Sequence, residues 1–329
     1  MATWSTNTPL DQSSNANFQT WVNEVYNALV TQCGLTQTGD TGQMAVPCAT
    51  AAPVAISTSA GYYVFKFNDT LQATAPIFFK LEFGSNSASA NTPTMWITVG
   101  TGSNGSGTIT WTGFGTTDGG VATGTRVAAG ANVAGQTTTN YTSRYCYNAT
   151  QGVCHAILKI NMGPTTGASV MGFMIYRSVS ATGAPNGNAA ILATNSTLAT
   201  SGANGPCAQV ISYTNSTVYG PSSPNNLAYA SSLYATPGWA PTNTSRTSTV
   251  GQIFPAYQIQ PSTSTGLNLG ITNAMATAAI NEVALGATVT ATVLGSTSLT
   301  YICVNGLPWA NTSSTGFNPT NYGVLLLWQ

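Results

Sequence analysis

"GYYVFKFNDTLQATAPIFFKLEFG", residues 61–84, decides how the chain is read. Its two halves, "GYYVFKF" (61–67) and "PIFFKLEFG" (76–84), are crowded with aromatic and β-branched residues. Such residues suit a pleated, half-buried surface, and the link "NDTLQATA" between them carries turn formers. Two strands are therefore expected. Downstream, "TMWITVG" (94–100) and "GTITWTG" (107–113) flank a Gly/Ser/Asn turn and predict a hairpin. Further strand candidates are "AILKINM" (156–162), "SVMGFMIYRSV" (169–179), "AQVISYT" (208–214), "LAYASSLYA" (227–235) and "GQIFPAYQI" (251–259). "VTATVLG" (289–295), "LTYICVN" (299–305) and "YGVLLLW" (322–328) complete the series. Strands at this spacing, punctuated by Gly, Pro and Asn, predict a mainly β protein of antiparallel sandwich or barrel domains.

Upstream the period changes. In "NFQTWVNEVYNALVTQCG", Phe18, Trp21, Val22, Val25, Leu29 and Val30 recur at spacings of three and four, which marks an amphipathic helix. Ser14 or Asn15 can cap its start and Gly34 its end. The apolar stripe must be buried. It packs either on the chain's own β-domain or on other copies and neighbouring proteins, as an assembly helix. The expected organisation is a helical arm and extended segment for docking (1–52), a β-domain (53–180), and a second β-domain with long loops and a closing strand (181–329). The stretches at 118–139 and 235–251 look like seams, and "INEVALGATVT" (280–290) has room for one helical turn.

Composition narrows the function classes. Of 329 residues 43% are hydrophobic, enough for a sizeable core, yet only 4% are charged, against about a quarter in ordinary domains. Seven acids balance seven bases. Nucleic acid needs a basic field for counterion release, and so do anionic membranes, so neither is an expected partner. A surface of hydroxyls and amides responds little to salt, and zero net charge favours association. "MATWSTNTPLDQ" lacks a basic start and an apolar run, so synthesis in a cytoplasm without secretion is expected. No run of 18 apolar residues predicts a membrane-spanning helix. The six cysteines contain no CxxC pair and are expected as buried thiols; a Cys146–Cys154 bridge across "YNATQG" is the open alternative.

Few motifs carry chemistry. Gly100, Gly102 and Gly105 form a GxGxxG spacing after a strand, but a strand follows where the dinucleotide fingerprint needs a helix, so a hairpin turn is expected and no cofactor. His155 is the only histidine and is expected partly buried at a strand edge; with Cys146 and Cys154 it matches no common zinc spacing, so no metal is expected. Asp69 and Glu82 lie in adjoining elements, as a glycosidase pair would require, but Lys66 and Lys80 are nearer partners. No catalytic residue is expected. Eight Asn-x-Ser/Thr sequons, at Asn68, Asn104, Asn140, Asn148, Asn195, Asn215, Asn243 and Asn311, are what chance supplies in a chain so rich in these residues. Trp239 in "TPGWAPT" and Trp309 in "GLPWANT", with Tyr219, Tyr229 and Tyr234, are loop aromatics that either fold back on the core or stack on sugar rings and partner surfaces.

Three stretches carry a family likeness: "TWSTNTPLDQSSNANFQTWVNEVYNALVTQCGLTQTGDTGQM", "GYYVFKFNDTLQATAPIFFKLEFG" and "TPTMWITVGTGSNGSG", with the closing "NYGVLLLW". Together they resemble virion structural proteins of tailed bacteriophages, found among tail, fibre and baseplate components. The resemblance covers about the first third of the chain and its last strand. It implies a non-enzymatic virion subunit, a tail fibre or baseplate component. Such a subunit forms homotrimers, contacts other virion proteins and presents Trp239, Trp309, Tyr219 and Tyr234 to a host-surface glycan. A capsid decoration or cement protein and a head fibre are alternatives. A host-polysaccharide depolymerase is the alternative of another class, and a secreted lectin-like adhesin conflicts with the expected absence of secretion.

Overall fold

The computed structural model describes residues 2–9, 14–52, 58–85, 93–110, 127–128, 140–159, 170–180, 182–197, 204–213, 217–219, 254–260, 267–279, 287–291, 298–303 and 322–329. In chain order the strands are β1 (Ala2–Pro9), β2 (Thr36–Gln37), β3 (Thr58–Lys66), β4 (Phe78–Ser85), β5 (Pro93–Gly100), β6 (Gly102–Ser103) and β7 (Ile109–Thr110). β8 (Val127–Ala128), β9 (Asn140–Asn148), β10 (Val153–Lys159), β11 (Val170–Val179), β12 (Pro185–Thr197) and β13 (Asn204–Ser212) follow. The last are β14 (Thr217–Tyr219), β15 (Phe254–Gln260), β16 (Leu267–Ala279), β17 (Thr288–Ala291), β18 (Leu299–Cys303) and β19 (Tyr322–Leu327). One helix, α1 (Asn15–Tyr26), continues into a π-helical segment over Asn27–Gln32. The protein is mainly β, built of antiparallel sheets with one short N-terminal helix.

A five-stranded sheet runs β2-β3-β4-β5-β8, and a two-stranded hairpin joins β6 to β7. A twelve-stranded sheet runs β1-β9-β10-β11-β16-β19-β18-β17, with β12, β13 and β14 branching from β11 and β15 beside β16. The register of β3, β4 and β5 explains the decisive stretch. Phe65 opposes Phe79 and Tyr63 opposes Leu81. Phe79 in turn opposes Val99, Leu81 opposes Ile97 and Phe83 opposes Met95. Alternate residues share a face, so one face of this sheet is wholly apolar, and every one of these side chains is fully buried.

Two elements cover that face. The first is α1. Ser14 caps it by accepting from the Asn17 amide at 3.2 Å, and Gly34, at φ +78°, turns the chain out of it. Phe18, Trp21, Val22, Val25 and Leu29 are all fully buried, with the Trp21 ring edge-on to Phe83 at 5.2 Å. Burying each such side chain stabilises the fold by about 1.5–3 kcal/mol. The stripe packs on the chain's own sheet, the first of the two expected alternatives. It is not free to act as an assembly helix between copies, because its surface is already spent in the core. The second cover is β9–β11 of the large sheet: Phe173 meets Phe79 at 5.7 Å and Tyr147 meets Phe67 at 5.4 Å.

The expected domain break at 180/181 needs correcting for the same reason. β11 and β12 flank it and are hydrogen-bonded neighbours in one sheet, and the sheets share one apolar core with α1. Four long strands, β1, β9, β12 and β16, were not expected, nor were the short β2, β6, β8 and β14. β12 ("PNGNAAILATNST") and β16 ("LNLGITNAMATAA") are rich in Ala and Asn, which local preference places outside strands; long antiparallel pairing overrides it. Residues 288–290 of the expected helical turn lie in β17. "LAYASSLYA" and most of both seams lie outside the described residues.

Candidate functional site

The most elaborate polar arrangement joins two stretches distant in sequence, "TGDTGQM" (39–44 with its preceding Thr38) and "GTGSNGSG" (100–107). After β2 the chain crosses the outer border of β3. Thr38 donates its amide to the Val64 carbonyl at 2.9 Å, and Met44 donates to Tyr62 at 3.1 Å. Between them the strap bows out, and the side-chain amide of Gln43 replaces backbone. Its Oε1 accepts from the Val64 amide at 2.7 Å, while its Nε2 donates to the carbonyls of Thr38 and Asp40 at 2.8 and 3.0 Å. The edge of β3 is thereby sealed.

Asp40 sits at the crest of the strap and takes hold of the β6–β7 hairpin. Its Oδ2 accepts from the Ser103 hydroxyl and from the Gly107 amide at 2.8 Å, and its Oδ1 accepts from Thr38 Oγ1 at 2.6 Å. Partial burial raises the carboxyl's pKa, but the donors from Ser103, Thr38 and Gly107 outweigh it and hold Asp40 below its ordinary value. Thr41 adds a backbone bond to Gly105 at 2.9 Å. Tyr62 roofs the contact, donating to the carbonyls of Thr41 (2.9 Å) and Ser106 (3.3 Å). Gly107 has φ +79°, and a Cβ there would stand 2.2 Å from the Tyr62 hydroxyl oxygen, so only glycine fits. The Lys80 ammonium lies 4.2 Å from the Tyr62 ring centre and 3.6 Å from Glu82. The GxGxxG spacing is thus a hairpin turn, as expected.

A second polar site lies deep between the sheets. Asp69, in the turn after β3, receives Arg177 of β11 through two bonds, Nε to Oδ2 at 2.5 Å and Nη2 to Oδ1 at 3.0 Å. The two side chains are 3% and 0% exposed. Next to it the Asn68 amide donates to Tyr147 Oη at 2.7 Å, and Tyr213 Oη donates to the Pro76 carbonyl. "NDTLQATA" therefore ties the small sheet to the large one. Asp69 and Glu82 do not form a pair: Arg177 takes one and Lys80 the other.

His155 lies in β10 between β9 and β11. It is fully buried and stacks near Trp328 at 6.2 Å. It is not at a strand edge, because β1 and β9 lie outside β10. Neither ring nitrogen has a hydrogen-bond partner among the described residues, and burial pushes its pKa down to about 3, leaving a neutral ring. The thiols of Cys33, Cys48, Cys146 and Cys154 are free and buried. Cys146 opposes His155, whereas Cys154 opposes Tyr147. The two cysteines therefore point to opposite faces of the sheet; they are buried thiols, as expected, and the alternative bridge does not form. Burial pushes the Cys33 thiol up to about 12, so it is unreactive near neutrality.

Tyr219 ends β14, opposite Val210. Trp239, Trp309 and Tyr234 lie outside the described residues, as does Tyr229. Sequence reasoning missed the clasp of Asp40, Gln43, Tyr62 and Ser103. The available signal was an Asp set among Gly and Thr, a composition that makes side-chain-to-backbone bonds. Among the described residues no three His, Cys, Asp or Glu side chains gather where they could hold a metal ion, and no helix is long and apolar enough to cross a membrane. Set against known protein-family models and against curated proteins, the chain matches none.

Proposed function

We propose that this protein is a non-enzymatic structural subunit of a tailed-phage virion, a tail fibre or baseplate component that exposes its β-sheets to the host surface. One observation carries the reading: of the four described acidic side chains, three hold separate elements together and the fourth is paired on its own strand. Glu24 accepts from the Tyr145 hydroxyl at 3.0 Å. Asp40 clasps the hairpin, Asp69 binds Arg177 and Glu82 faces Lys80. A hydrolytic site needs a carboxylate or histidine set against substrate with its pKa tuned for proton transfer, and His155 is a neutral ring inside a sheet. The three stretches that resemble phage proteins supply the rest. All three meet in the Asp40 clasp, the second through Tyr62, so what looks like a family signature has a structural role. With the helix stripe spent internally, contacts with other copies and virion proteins fall to exposed polar surface and strand edges. Trp239, Trp309, Tyr219 and Tyr234 are the residues proposed to meet a host glycan.

Mass spectrometry of gradient-purified particles, with heads and tails separated, tests the reading. Recovery of the chain with tails is expected. Recovery with heads alone overturns the tail placement in favour of capsid decoration, and absence from particles overturns the virion reading. Release of new reducing ends from host polysaccharide by the purified chain overturns the non-enzymatic part.

A further inference from the structure

The two main sheets treat their first edges differently. At β3 the edge is covered by β2, the strap and the Gln43 amide. At β1, eight residues pair with β9 in unbroken register from Ala2↔Tyr147 to Pro9↔Asn140, and among the described residues no strand pairs with its other side. An antiparallel edge strand directs the N–H and C=O groups of every second residue outward, ready to accept another strand. Proteins blunt such edges with charge, internal proline, bulges or short length. The twelve-stranded sheet does so elsewhere. β15 carries Pro255 and two register shifts, β14 has three residues and β17 has four. β1, "ATWSTNTP", has no charged residue and no register shift, and its only proline is the last residue.

We infer that β1 is a self-association strand, which pairs antiparallel with β1 of a second copy across a two-fold axis and joins two twelve-stranded sheets edge to edge. Opposed residues must come from the same alternate set in both copies, so the axis falls either on Ser5 facing Ser5, with Thr3 opposite Asn7 and Trp4 opposite Thr6, or on Thr6 facing Thr6, with Trp4 opposite Thr8 and Ser5 opposite Asn7. In a two-fold pair any charge on the strand faces the same strand again, so repulsion is avoided most simply by having none. A strand shaped for a different protein has no such constraint and gains specificity from complementary charge. The zero formal net charge of the whole chain removes long-range repulsion between copies. The inference does not depend on the virion reading, and each can fail without the other.

The test uses the full chain in sedimentation velocity and amide hydrogen exchange over a concentration series. A dimer is expected, with alternate amides of residues 2–9 gaining protection as it forms. Ser5→Lys with Thr6→Lys, which sets like charges across the axis, should weaken dimerisation by about tenfold or more. Ser5→Glu with Thr6→Glu should do the same, and mixing the two variants should restore a dimer. Recovery by mixing separates charge at the axis from a loss of folding. A chain that stays monomeric throughout overturns the inference. So does a dimer indifferent to both variants, or one whose formation leaves residues 2–9 unprotected.

Discussion

The five-stranded sheet closes its edge with side chains, whereas the twelve-stranded sheet buries charge in its interior and, among the described residues, leaves its first edge open. In the small sheet, polar groups sit at the rim. Asp40, Gln43 and Tyr62 each satisfy backbone groups of the strap, the hairpin or β3. In the large sheet, Arg177 and His155 are fully buried, the first matched by Asp69 and the second left neutral. Rim contacts are short-range and individually modest. Interior charges are expensive to desolvate and costly to orphan. The two sheets should therefore fail under different insults.

The largest expected effect comes from orphaning the interior charge. Asp69→Ala leaves Arg177 buried without its carboxylate and should cost about 3–5 kcal/mol in urea unfolding. Adding Arg177→Met should recover much of that loss; a double variant as unstable as the single would show that the pair does more than neutralise itself.

Acid should reach the large sheet first. The folded His155 resists protonation until about pH 3, whereas an unfolded histidine titrates at 6.5. The unfolded state therefore binds the extra proton first, and stability falls as pH drops from 6.5 towards 3, by a few kcal/mol in all. His155→Leu should flatten that slope and change stability by no more than about 1.5 kcal/mol at pH 7. An unchanged acid slope in the variant would remove His155 from the account.

The rim gives the smallest effects. Gln43→Ala leaves the buried Val64 amide without its acceptor and should cost about 1–3 kcal/mol. Asp40→Ala should cost about 1–2 kcal/mol and speed amide exchange in residues 102–110 while leaving β9–β11 protected. Asp40 has a lowered pKa, so its contribution is present above the ordinary value of 3.8 and is lost only as pH falls below it. A pH titration followed by exchange should thus show the large sheet loosening before the clasp; the reverse order would dissolve the contrast between the sheets.

Much of this was legible in the chain. Alternating Tyr63, Phe65, Phe79, Leu81 and Phe83 sit where a period of two puts them, and Ser14 and Gly34 bound the helix through the conformations their side chains permit. β12 and β16 were not legible, because Ala and Asn form strands only when neighbours on both sides supply the hydrogen bonds. The clasp escaped notice because more than sixty residues separate Asp40 from Gly107, and nothing local in either stretch specifies the other.

Sequence alone determined which segments prefer strand or helix, how little charge there is to work with and which side chains must leave water, since each is a property of a residue and its near neighbours. Only the tertiary structure decided that the helix stripe is consumed by the chain's own sheet, that Asp69 belongs to Arg177 instead of Glu82, that Cys146 and Cys154 face apart, and which strand edge stays open. These depend on register and on pairing across long loops, where a shift of one residue turns every side chain to the other face.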